Sequence, residues 1–241
     1  MEVRNLSVSY GGVQVLKGVD LRLNAGLTAV IGPNGAGKTT LLKAISGLVD
    51  FQGVVKLFDR ELNSLDQAER VRLVTYVPPI VEALPDVTVG DLILSDLTVN
   101  HGLLLKYIEI FQLHALLTRK LSLVSSGELS RALLARGLSR NSRVIVLDEP
   151  LSHVDVRFQL ILLKHLRALS QDGRVILIAS NQLNPLLSHI DYVVAVKEGE
   201  VAFVGSVADL LKTDTLSRIY GVRFEVVRVG DFTDLIPVEP S

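Results

Sequence analysis

The stretch Gly32-Pro33-Asn34-Gly35-Ala36-Gly37-Lys38-Thr39 decides the fold of this chain, because it fits the phosphate-loop pattern G-x-x-x-x-G-K-[ST] at every fixed position. The apolar run from Leu27 to Ile31 predicts a buried strand before it, and Thr40 to Ser46 predict the start of a helix after it. Glycines let the backbone wrap around a phosphate with its N–H groups directed inward. We therefore expect Lys38 to reach the β- and γ-phosphates of a nucleotide and the Thr39 hydroxyl to hold Mg²⁺. An ordinary glycine turn between a strand and a helix is the alternative.

The composition is that of a chain that can form a full hydrophobic core and has no excess of positive charge. Its 241 residues suit one large domain or a core with a subdomain. Hydrophobic residues make up 48%, and the net charge of −1 argues against a nucleic-acid partner. The absence of cysteine excludes disulfides and zinc–thiolate sites. Four histidines share no metal-ligand spacing and are predicted to lie at the surface: His101, His114, His165 and His189.

The sequence shows no targeting or membrane-spanning segment. Met1-Glu2-Val3-Arg4 leads directly into a strand pattern, without the features of a signal peptide. No apolar stretch reaches about 18 residues without a charge. We therefore expect a cytoplasmic protein whose membrane role comes through a partner.

The hydrophobic pattern divides the chain into an α/β part and a helical part. Alternating runs at Val3–Ser9 and Val19–Leu23 predict antiparallel strands near the N-terminus. From about residue 80 to 141 the apolar spacing predicts a helical insert, and the α/β pattern resumes at Val144. The last twenty residues predict short strands and a loose, proline-rich end.

Two acids follow a second apolar strand. Val144–Leu147 is a continuous apolar run, and Asp148 and Glu149 come directly after it. Ligands in open α/β sheets bind at this edge of the strands. We expect Asp148 to hold Mg²⁺ through water and Glu149 to polarise an attacking water. For the acid pair taken alone, a solvated loop is the alternative.

A helix start built from small residues lies upstream of these acids, at Val124-Ser125-Ser126-Gly127-Glu128. Ser125 and Glu128 have the spacing of a capping box, which is a structural role. A helix N-terminus with small residues is also an anion site. Because this one belongs to the helical insert, it can serve a phosphate only if it faces the nucleotide of another subunit. The sequence therefore predicts a head-to-tail homodimer with ATP between the subunits.

Together these motifs resemble the ATP-binding subunit of ABC transporters over nearly the whole chain. Gly32–Thr39 matches the Walker A motif, Val146–Glu149 ends the Walker B motif, Ser125–Glu128 is similar to the family signature, and Ser152–Asp155 matches the D-loop. The resemblance implies a single cassette of the α/β class. Its RecA-like P-loop NTPase core would span residues 1–79 and 142–241 and carry an antiparallel β subdomain, with a helical insert at 80–141.

The resemblance also implies ligand contacts. Tyr10 matches the aromatic residue that stacks on adenine, although an ordinary strand-end tyrosine is the alternative. ATP would be bound by the phosphate loop through Thr40, by the signature residues Ser125–Glu128 and by Asp155 of the D-loop. The residues implied for catalysis are Lys38, Glu149 and Asn181, and those implied for Mg²⁺ are Thr39 and Asp148.

Within that family, the chain is similar to the importers of metal chelates such as iron siderophores, haem, cobalamin or molybdate. Leu57–Leu62, Tyr76-Val77-Pro78, Glu128 and the tail around Tyr220-Gly221 carry this likeness. It implies a homodimer at the cytoplasmic face of the cell membrane. The partners would be membrane permease subunits, reached through the helical insert and the loop near Pro79, and indirectly an extracytoplasmic solute-binding protein, with no nucleic acid.

Two positions depart from the family pattern. Pro79 stands where a glutamine normally follows Tyr-Val-Pro, and proline offers no side-chain donor or acceptor. Glu82 is a nearby substitute. Asn181 stands where a switch histidine is usual, and an amide can donate a hydrogen bond but cannot carry the positive charge. These departures predict slow hydrolysis. A low-turnover, ATP-gated dimerising module and an exporter cassette are the alternatives.

Overall fold

The computed structural model describes residues 1–79, 86–212, 214–230 and 232–240. Within these ranges the strands are β1 (Glu2–Tyr10), β2 (Val13–Arg22), β3 (Gly26–Ile31), β4 (Gln52–Leu57), β5 (Arg60–Glu61), β6 (Val74–Val77), β7 (Val144–Asp148), β8 (Val175–Ala179), β9 (Tyr192–Lys197), β10 (Glu200–Ser206), β11 (Val222–Val229) and β12 (Phe232–Pro240).

The helices alternate with these strands. They are α1 (Lys38–Ile45), α2 (Gln67–Leu73), α3 (Val89–Leu94), α4 (His101–Ile110), α5 (Ser126–Ser139), α6 (Val156–Gln171), α7 (Val207–Leu210) and α8 (Thr215–Tyr220), with 3₁₀ turns at Leu62–Ser64, His114–Leu116, Leu121–Leu123 and Asn184–Leu186. None of the helices in the described ranges combines the length and the apolar character needed to cross a lipid bilayer.

The N-terminal strands form an antiparallel sheet in the order β2-β1-β4-β5. Val3, Leu6 and Val8 of β1 are buried while the residues between them are more exposed, which is the pattern of a sheet with one face on the core. These buried strand residues form a hydrophobic cluster with Leu41 and Leu42 of α1, which therefore packs on the sheet. The prediction of antiparallel strands near the N-terminus is confirmed.

The central sheet has the order β10-β9-β3-β8-β7-β6, in which β10 alone runs antiparallel to its neighbour. Strands β3, β8 and β7 are therefore adjacent and parallel. Their carboxyl ends lie at one edge of the sheet, where ligands bind in folds of this kind. The register brings Asp148 opposite Ala179, so that the residues after β3, β7 and β8 converge on one place.

Both faces of the central sheet are covered. In β3 the fully buried Leu27, Ala29 and Ile31 pack into one hydrophobic cluster, together with α6 and with α3, α4 and α5. Val30 packs into the other cluster, with α1 and the antiparallel sheet. This burial on both sides explains the continuous apolar runs in the sequence of β3, β7 and β8. The α/β fold class with an antiparallel β subdomain is confirmed.

The helices between β6 and β7 contact the core through aromatic residues. Phe111 packs edge-on against Phe158 of α6, with ring centroids 5.0 Å apart. The Tyr107 hydroxyl and Nε2 of His165 are joined by a hydrogen bond of 2.9 Å. The prediction that His165 lies at the surface is wrong, because its ring is half-buried against this helix, and burial lowers its pKa.

The prediction of short strands in the last twenty residues is confirmed, whereas the predicted loose, proline-rich end is wrong, because the strands form a regular hairpin. β11 and β12 pair antiparallel along their whole lengths, with Phe224 opposite Pro237 and Val222 opposite Pro240. Within the described residues the two strands pair only with each other. The outer edge of each strand therefore faces no further strand, and its backbone N–H groups are not needed for pairing. Proline is tolerated at such an edge because its missing N–H leaves no ladder bond unmade.

Candidate functional site

The phosphate loop follows β3 and is fixed by close packing at its first residue. Gly32 is buried with φ 148°, and a Cβ added there would lie 2.0 Å from the carbonyl oxygen of Val196. A residue with a side chain cannot occupy this position. On the far side of the loop, the N–H of Gly199 donates to the carbonyl of Ala36 at 3.0 Å. The loop is therefore held between β9 and the turn that follows it.

A cavity of about 380 Å³ opens over this loop, which is within the range of small-molecule sites. Its lining residues are Val15, Asn34, Gly35, Ala36, Gly37, Lys38, Thr39, Thr40, Glu149 and Asn181. The structure thus brings the predicted loop together with two residues distant in sequence, Glu149 and Asn181. The sequence did not indicate Val15, which lies in an ordinary half-exposed strand.

Lys38 lies at the start of α1 and has a partner for each of its donors. Its Nζ donates to the carbonyls of Gly32 at 2.8 Å and Pro33 at 3.1 Å, and to Oδ1 of Asn181 at 2.9 Å. Burial lowers the pKa of Lys38, while the charges of Glu149 and Asp148 act in the opposite direction. The Lys38 ammonium is therefore held at the start of the phosphate loop, close enough to Glu149 and Asp148 to be attracted by both carboxylates.

Asp148 ends β7 and is almost fully buried, with an exposed fraction of 1%. A carboxylate at such depth requires a hydrogen bond, and Tyr76 of the neighbouring β6 supplies one from its hydroxyl to Oδ2 at 2.9 Å. Burial and the charge of Asp148 raise the pKa of Tyr76, so the phenol keeps its proton. The sequence did not indicate this role of Tyr76, since β6 and β7 become neighbours only in the folded sheet.

Glu149 has a left-handed backbone, with φ 51°, which is unfavourable for a residue with a side chain and is typical of functional sites. Its N–H donates to the carbonyl of Ala179 at 3.0 Å, which fixes the turn. Its Oε2 accepts hydrogen bonds from the Ser152 hydroxyl at 3.2 Å and from the Asn181 N–H at 3.3 Å. The carboxylate is thereby held at the edge of the cavity, where it can accept a hydrogen bond from a water.

The signature segment starts α5 with a complete capping box. The Ser125 hydroxyl accepts a hydrogen bond from the Glu128 N–H at 3.3 Å, and Oε2 of Glu128 accepts one from the Ser125 N–H at 2.7 Å. The Ser125 N–H and the Ser125 hydroxyl both donate to this carboxylate, and these two hydrogen bonds lower the pKa of Glu128. Ser125 and Ser126 are exposed, so the start of the helix faces outward. The structural role of this segment as a helix cap is confirmed.

Gly127 connects the signature to the D-loop in a way that the sequence did not indicate. A Cβ added at Gly127 would lie 2.5 Å from the carbonyl oxygen of His153, so only glycine permits this approach. His153 has a left-handed backbone, with φ 64°. The signature and the D-loop therefore form one continuous surface of the chain.

Several of the predicted nucleotide contacts do not line the phosphate-loop cavity. Gly32 and Pro33 lie at the start of the loop, where their carbonyls accept hydrogen bonds from Lys38. Tyr10 ends β1 with 46% of its surface exposed. Asp155 accepts the capping hydrogen bond of α6 from the Phe158 N–H at 2.8 Å. The signature belongs to α5, in the helical segment. Lys38, Glu149 and Asn181 meet at one place, whereas Tyr10, Asp155 and Ser125–Glu128 lie elsewhere on the chain.

The oxygen donors near the loop fit Mg²⁺ bound together with a nucleotide. Magnesium prefers oxygen ligands and is commonly held by one or two carboxylates plus substrate phosphates. Thr39 contributes a hydroxyl at the cavity and Asp148 a buried carboxylate at the neighbouring strand end. In the described ranges, no group of three or more His, Cys, Asp or Glu side chains could hold a metal ion by itself. Phosphate oxygens would have to complete the site.

Pro79 is exposed at the end of the first described range, two residues after β6. It makes no contribution to the phosphate-loop cavity. Glu82, the nearby acid considered as a substitute for the missing glutamine, lies outside the described residues.

The fold and these motifs define an ATP-binding cassette, and comparison with known sequences agrees. A sequence profile of the ABC transporter family matches residues 16–152, and the chain belongs to that family. Cassettes of this family are ATPases that bind ATP or ADP. They dimerise and act with membrane permease subunits.

Relatives of the chain include ATP-binding proteins of import systems. It is 29% identical to the petrobactin import ATP-binding protein YclP of Bacillus subtilis, over 96% of each chain. It is 32% identical to the hemin import ATP-binding protein HmuV of Rhizobium meliloti, over 92% of this chain and 91% of the relative. A solved metal-chelate-type ABC transporter in an inward-facing conformation has the same fold, with a TM-score of 0.79 at 21% identity over 98% of this chain and 96% of that one.

Proposed function

We propose that this protein binds MgATP at the phosphate-loop cavity, dimerises around it and hydrolyses it to power the import of a metal chelate through separate permease subunits. The observation that carries the proposal is the convergence of Lys38, Glu149 and Asn181 on one cavity over the loop. A cation beside the phosphate loop and a fixed carboxylate that can position a water are groups that phosphoryl transfer to water requires, and Asn181 places an amide next to them.

The hydrolysis follows from the positions of these groups. The loop N–H groups and Lys38 bind the β- and γ-phosphates and stabilise the charge on them. Glu149 accepts a hydrogen bond from a water and directs its oxygen to the γ-phosphorus. The bond to the β–γ bridging oxygen then breaks, and ADP and inorganic phosphate result. Asp148 and the Thr39 hydroxyl would hold Mg²⁺, which neutralises phosphate charge when bound.

The signature and the D-loop support a shared nucleotide site. Ser125–Glu128 and Asp155 belong to a surface that does not line the cavity of their own chain. The start of α5 provides N–H groups and a partial positive charge for an anion. In a head-to-tail dimer each copy would present this surface to the phosphates held by the other. Tyr10, exposed beyond the loop, would stack on the adenine.

The transport role rests on the relatives. The proteins named for petrobactin and hemin import cover nearly the whole chain, and the metal-chelate-type transporter shares its fold. We infer that the imported solute is a metal chelate and that the cassette lies at the cytoplasmic face of the membrane. Residues 1–79 and 142–241 would form the nucleotide-binding core. The insert 80–141 and the loop near Pro79 would contact the permeases, and the permeases would contact an extracytoplasmic binding protein.

A low-turnover dimerising module is the second candidate, and Asn181 and Pro79 favour it. Removing one transition-state contact costs about 10²–10³ in rate, and neither residue supplies the contact usual at its position. Steady-state phosphate release distinguishes the two candidates. We expect slow but ATP-dependent turnover that rises by about tenfold or more in Asn181→His or Pro79→Gln. No gain from either substitution would show that the two departures are neutral.

A further inference from the structure

Tyr220 joins the C-terminal part of the chain to the first residue of the phosphate loop. Its hydroxyl accepts a hydrogen bond from the backbone N–H of Gly32 at 3.1 Å, across 188 residues of sequence. The carbonyl of the same Gly32 accepts the 2.8 Å hydrogen bond from Nζ of Lys38. Both backbone polar groups of Gly32 are therefore hydrogen-bonded, the N–H to Tyr220 in the C-terminal part of the chain and the carbonyl to the phosphate-binding Lys38.

Gly32 has little freedom to absorb a change in either hydrogen bond. It is buried, and its Cα faces the carbonyl of Val196 so closely that no Cβ fits between them. A buried N–H without a partner costs free energy, so the conformation that pairs it is favoured. The Tyr220 hydroxyl thus selects the conformation in which the loop enters the nucleotide cavity.

The C-terminal segment holds Tyr220 in place. Tyr220 ends α8, and its ring packs edge-on against Phe224 of β11 with centroids 5.9 Å apart. Two hydrogen bonds also connect the hairpin of β11 and β12 to the segment after β8. Asn184 donates from Nδ2 to the carbonyl of Leu235 at 3.1 Å and accepts from the Leu235 N–H at 3.0 Å. The tyrosine is therefore fixed by α8 and the hairpin.

We propose that Tyr220 is a positioning residue of the nucleotide site, which acts through Gly32 and makes the C-terminal segment a determinant of nucleotide affinity. This inference rests on the proposed MgATP site. Burial raises the pKa of Tyr220, so that the hydroxyl stays uncharged at neutral pH. Gly32 precedes the part of the loop that lines the cavity, so Tyr220 acts on the nucleotide without touching it.

Tyr220→Phe tests the proposal because it removes the hydroxyl and keeps the ring. We expect binding of a fluorescent ATP analogue, MANT-ATP, to weaken about tenfold through the unpaired Gly32 N–H. Because neither Tyr220 nor Gly32 lines the cavity and Glu149 keeps its contacts, the loss should fall on nucleotide binding, so KM should rise with kcat nearly unchanged. Tyr192→Phe is the matched control, since it removes a hydroxyl from an exposed ring of β9 and should bind MANT-ATP as the wild type does.

Hydrogen exchange at Gly32 separates a local effect from a general loss of stability. We expect faster exchange of this amide in Tyr220→Phe, with a Tm near that of the wild type in the absence of nucleotide. Unchanged affinity would overturn the proposal. A loss of affinity with a large drop in Tm would also overturn it, because the role would then be structural. If the wild type itself fails to bind MANT-ATP, the nucleotide site is contradicted, while exchange at Gly32 still tests Tyr220.

Discussion

The ammonium of Lys38 and the side-chain amide of Asn181 are hydrogen-bonded to each other, with Nζ 2.9 Å from Oδ1. An ammonium only donates, so Asn181 must present its oxygen to Lys38 and direct its NH₂ group elsewhere. The other donors of Lys38 reach the carbonyls of Gly32 and Pro33. A phosphate entering the loop must therefore replace a partner of Lys38, and exposed Asn181 is the easiest to displace.

Asn181→Ala should strengthen the binding of ADP by about threefold, because the diphosphate no longer displaces a hydrogen bond from Lys38. ADP is the informative ligand, since it lacks the γ-phosphate that the Asn181 amide could contact in return. Titration with MANT-ADP measures the effect. Gln182→Ala, at the exposed neighbouring position, is the control and should leave the affinity unchanged. Weaker ADP binding in Asn181→Ala would show that Asn181 supports Lys38 rather than competing for it.

Glu149→Gln should lower the rate of ATP hydrolysis by about 10²-fold or more, because an amide cannot accept the proton of the attacking water. The amide keeps an oxygen that can accept from the Ser152 hydroxyl and the Asn181 N–H, so the turn should persist. Phosphate release measures the rate, and MANT-ATP binding should stay near the wild-type value. Substantial residual turnover would show that another group activates the water.

Gly127→Ala should impair hydrolysis while leaving nucleotide binding by the single chain intact. The added Cβ would lie 2.5 Å from the carbonyl of His153, which forces the signature and the D-loop apart. Gly102→Ala is the matched control, because Gly102 also lies in a helix and an added Cβ there comes no closer than 3.4 Å to a neighbouring atom. Phosphate release and MANT-ATP binding are compared for both variants. Normal turnover in Gly127→Ala would contradict the role of this shared surface.

Asp96 should stabilise the helical segment in a pH-dependent manner. Burial alone would raise the pKa of Asp96, but hydrogen bonds from Thr98 and Arg140 outweigh it and hold the pKa well below its usual value. Its ion pair with Arg140 has an N–O distance of 2.6 Å and a carboxylate that is nearly buried. Because the folded pKa is depressed, this stabilisation is present above the unfolded pKa of about 4 and is lost as the pH falls through the folded pKa.

Asp96→Asn should therefore lower the free energy of unfolding at pH 7 by about 2 kcal/mol. Urea unfolding at neutral and acidic pH measures the difference, which should shrink below pH 4 or so. Asp172→Asn is the control, because its ion pair with Arg174 is exposed at 3.4 Å and should contribute less than about 1 kcal/mol. A difference that stays constant with pH would mean that the ionised form of Asp96 is not what stabilises the fold.

The elements of the site that are local in sequence could be predicted from it. The phosphate loop needs glycines at set positions between a strand and a helix, and the cap of α5 needs Ser125 and Glu128 three residues apart. Asp148 and Glu149 follow an apolar strand whose ligand-binding edge is dictated by the parallel sheet. Short-range geometry determines the loop and the cap, and the general rule for parallel sheets determines the place of the two acids.

The contacts that support the site could not be predicted, because they join distant parts of the chain. Tyr76 reaches Asp148 across 72 residues and Tyr220 reaches Gly32 across 188. Both tyrosines belong to segments that carry the likeness to metal-chelate importers, but nothing in the sequence pairs Tyr76 with Asp148 or Tyr220 with Gly32. Short strands were predicted in the last twenty residues, but their pairing into a regular hairpin was not, because Pro237 would break an interior strand and is tolerated at an edge.

The central claim, that each copy completes the nucleotide site of the other, is tested most directly by the mass of the protein in solution. Multi-angle light scattering is measured with Mg²⁺ and a saturating, non-hydrolysable ATP analogue, beside a sample without nucleotide. We predict that the 26.3 kDa chain doubles its mass only when the analogue is bound. A single-chain mass at full occupancy of the loop, verified by MANT-ATP competition, would contradict the account.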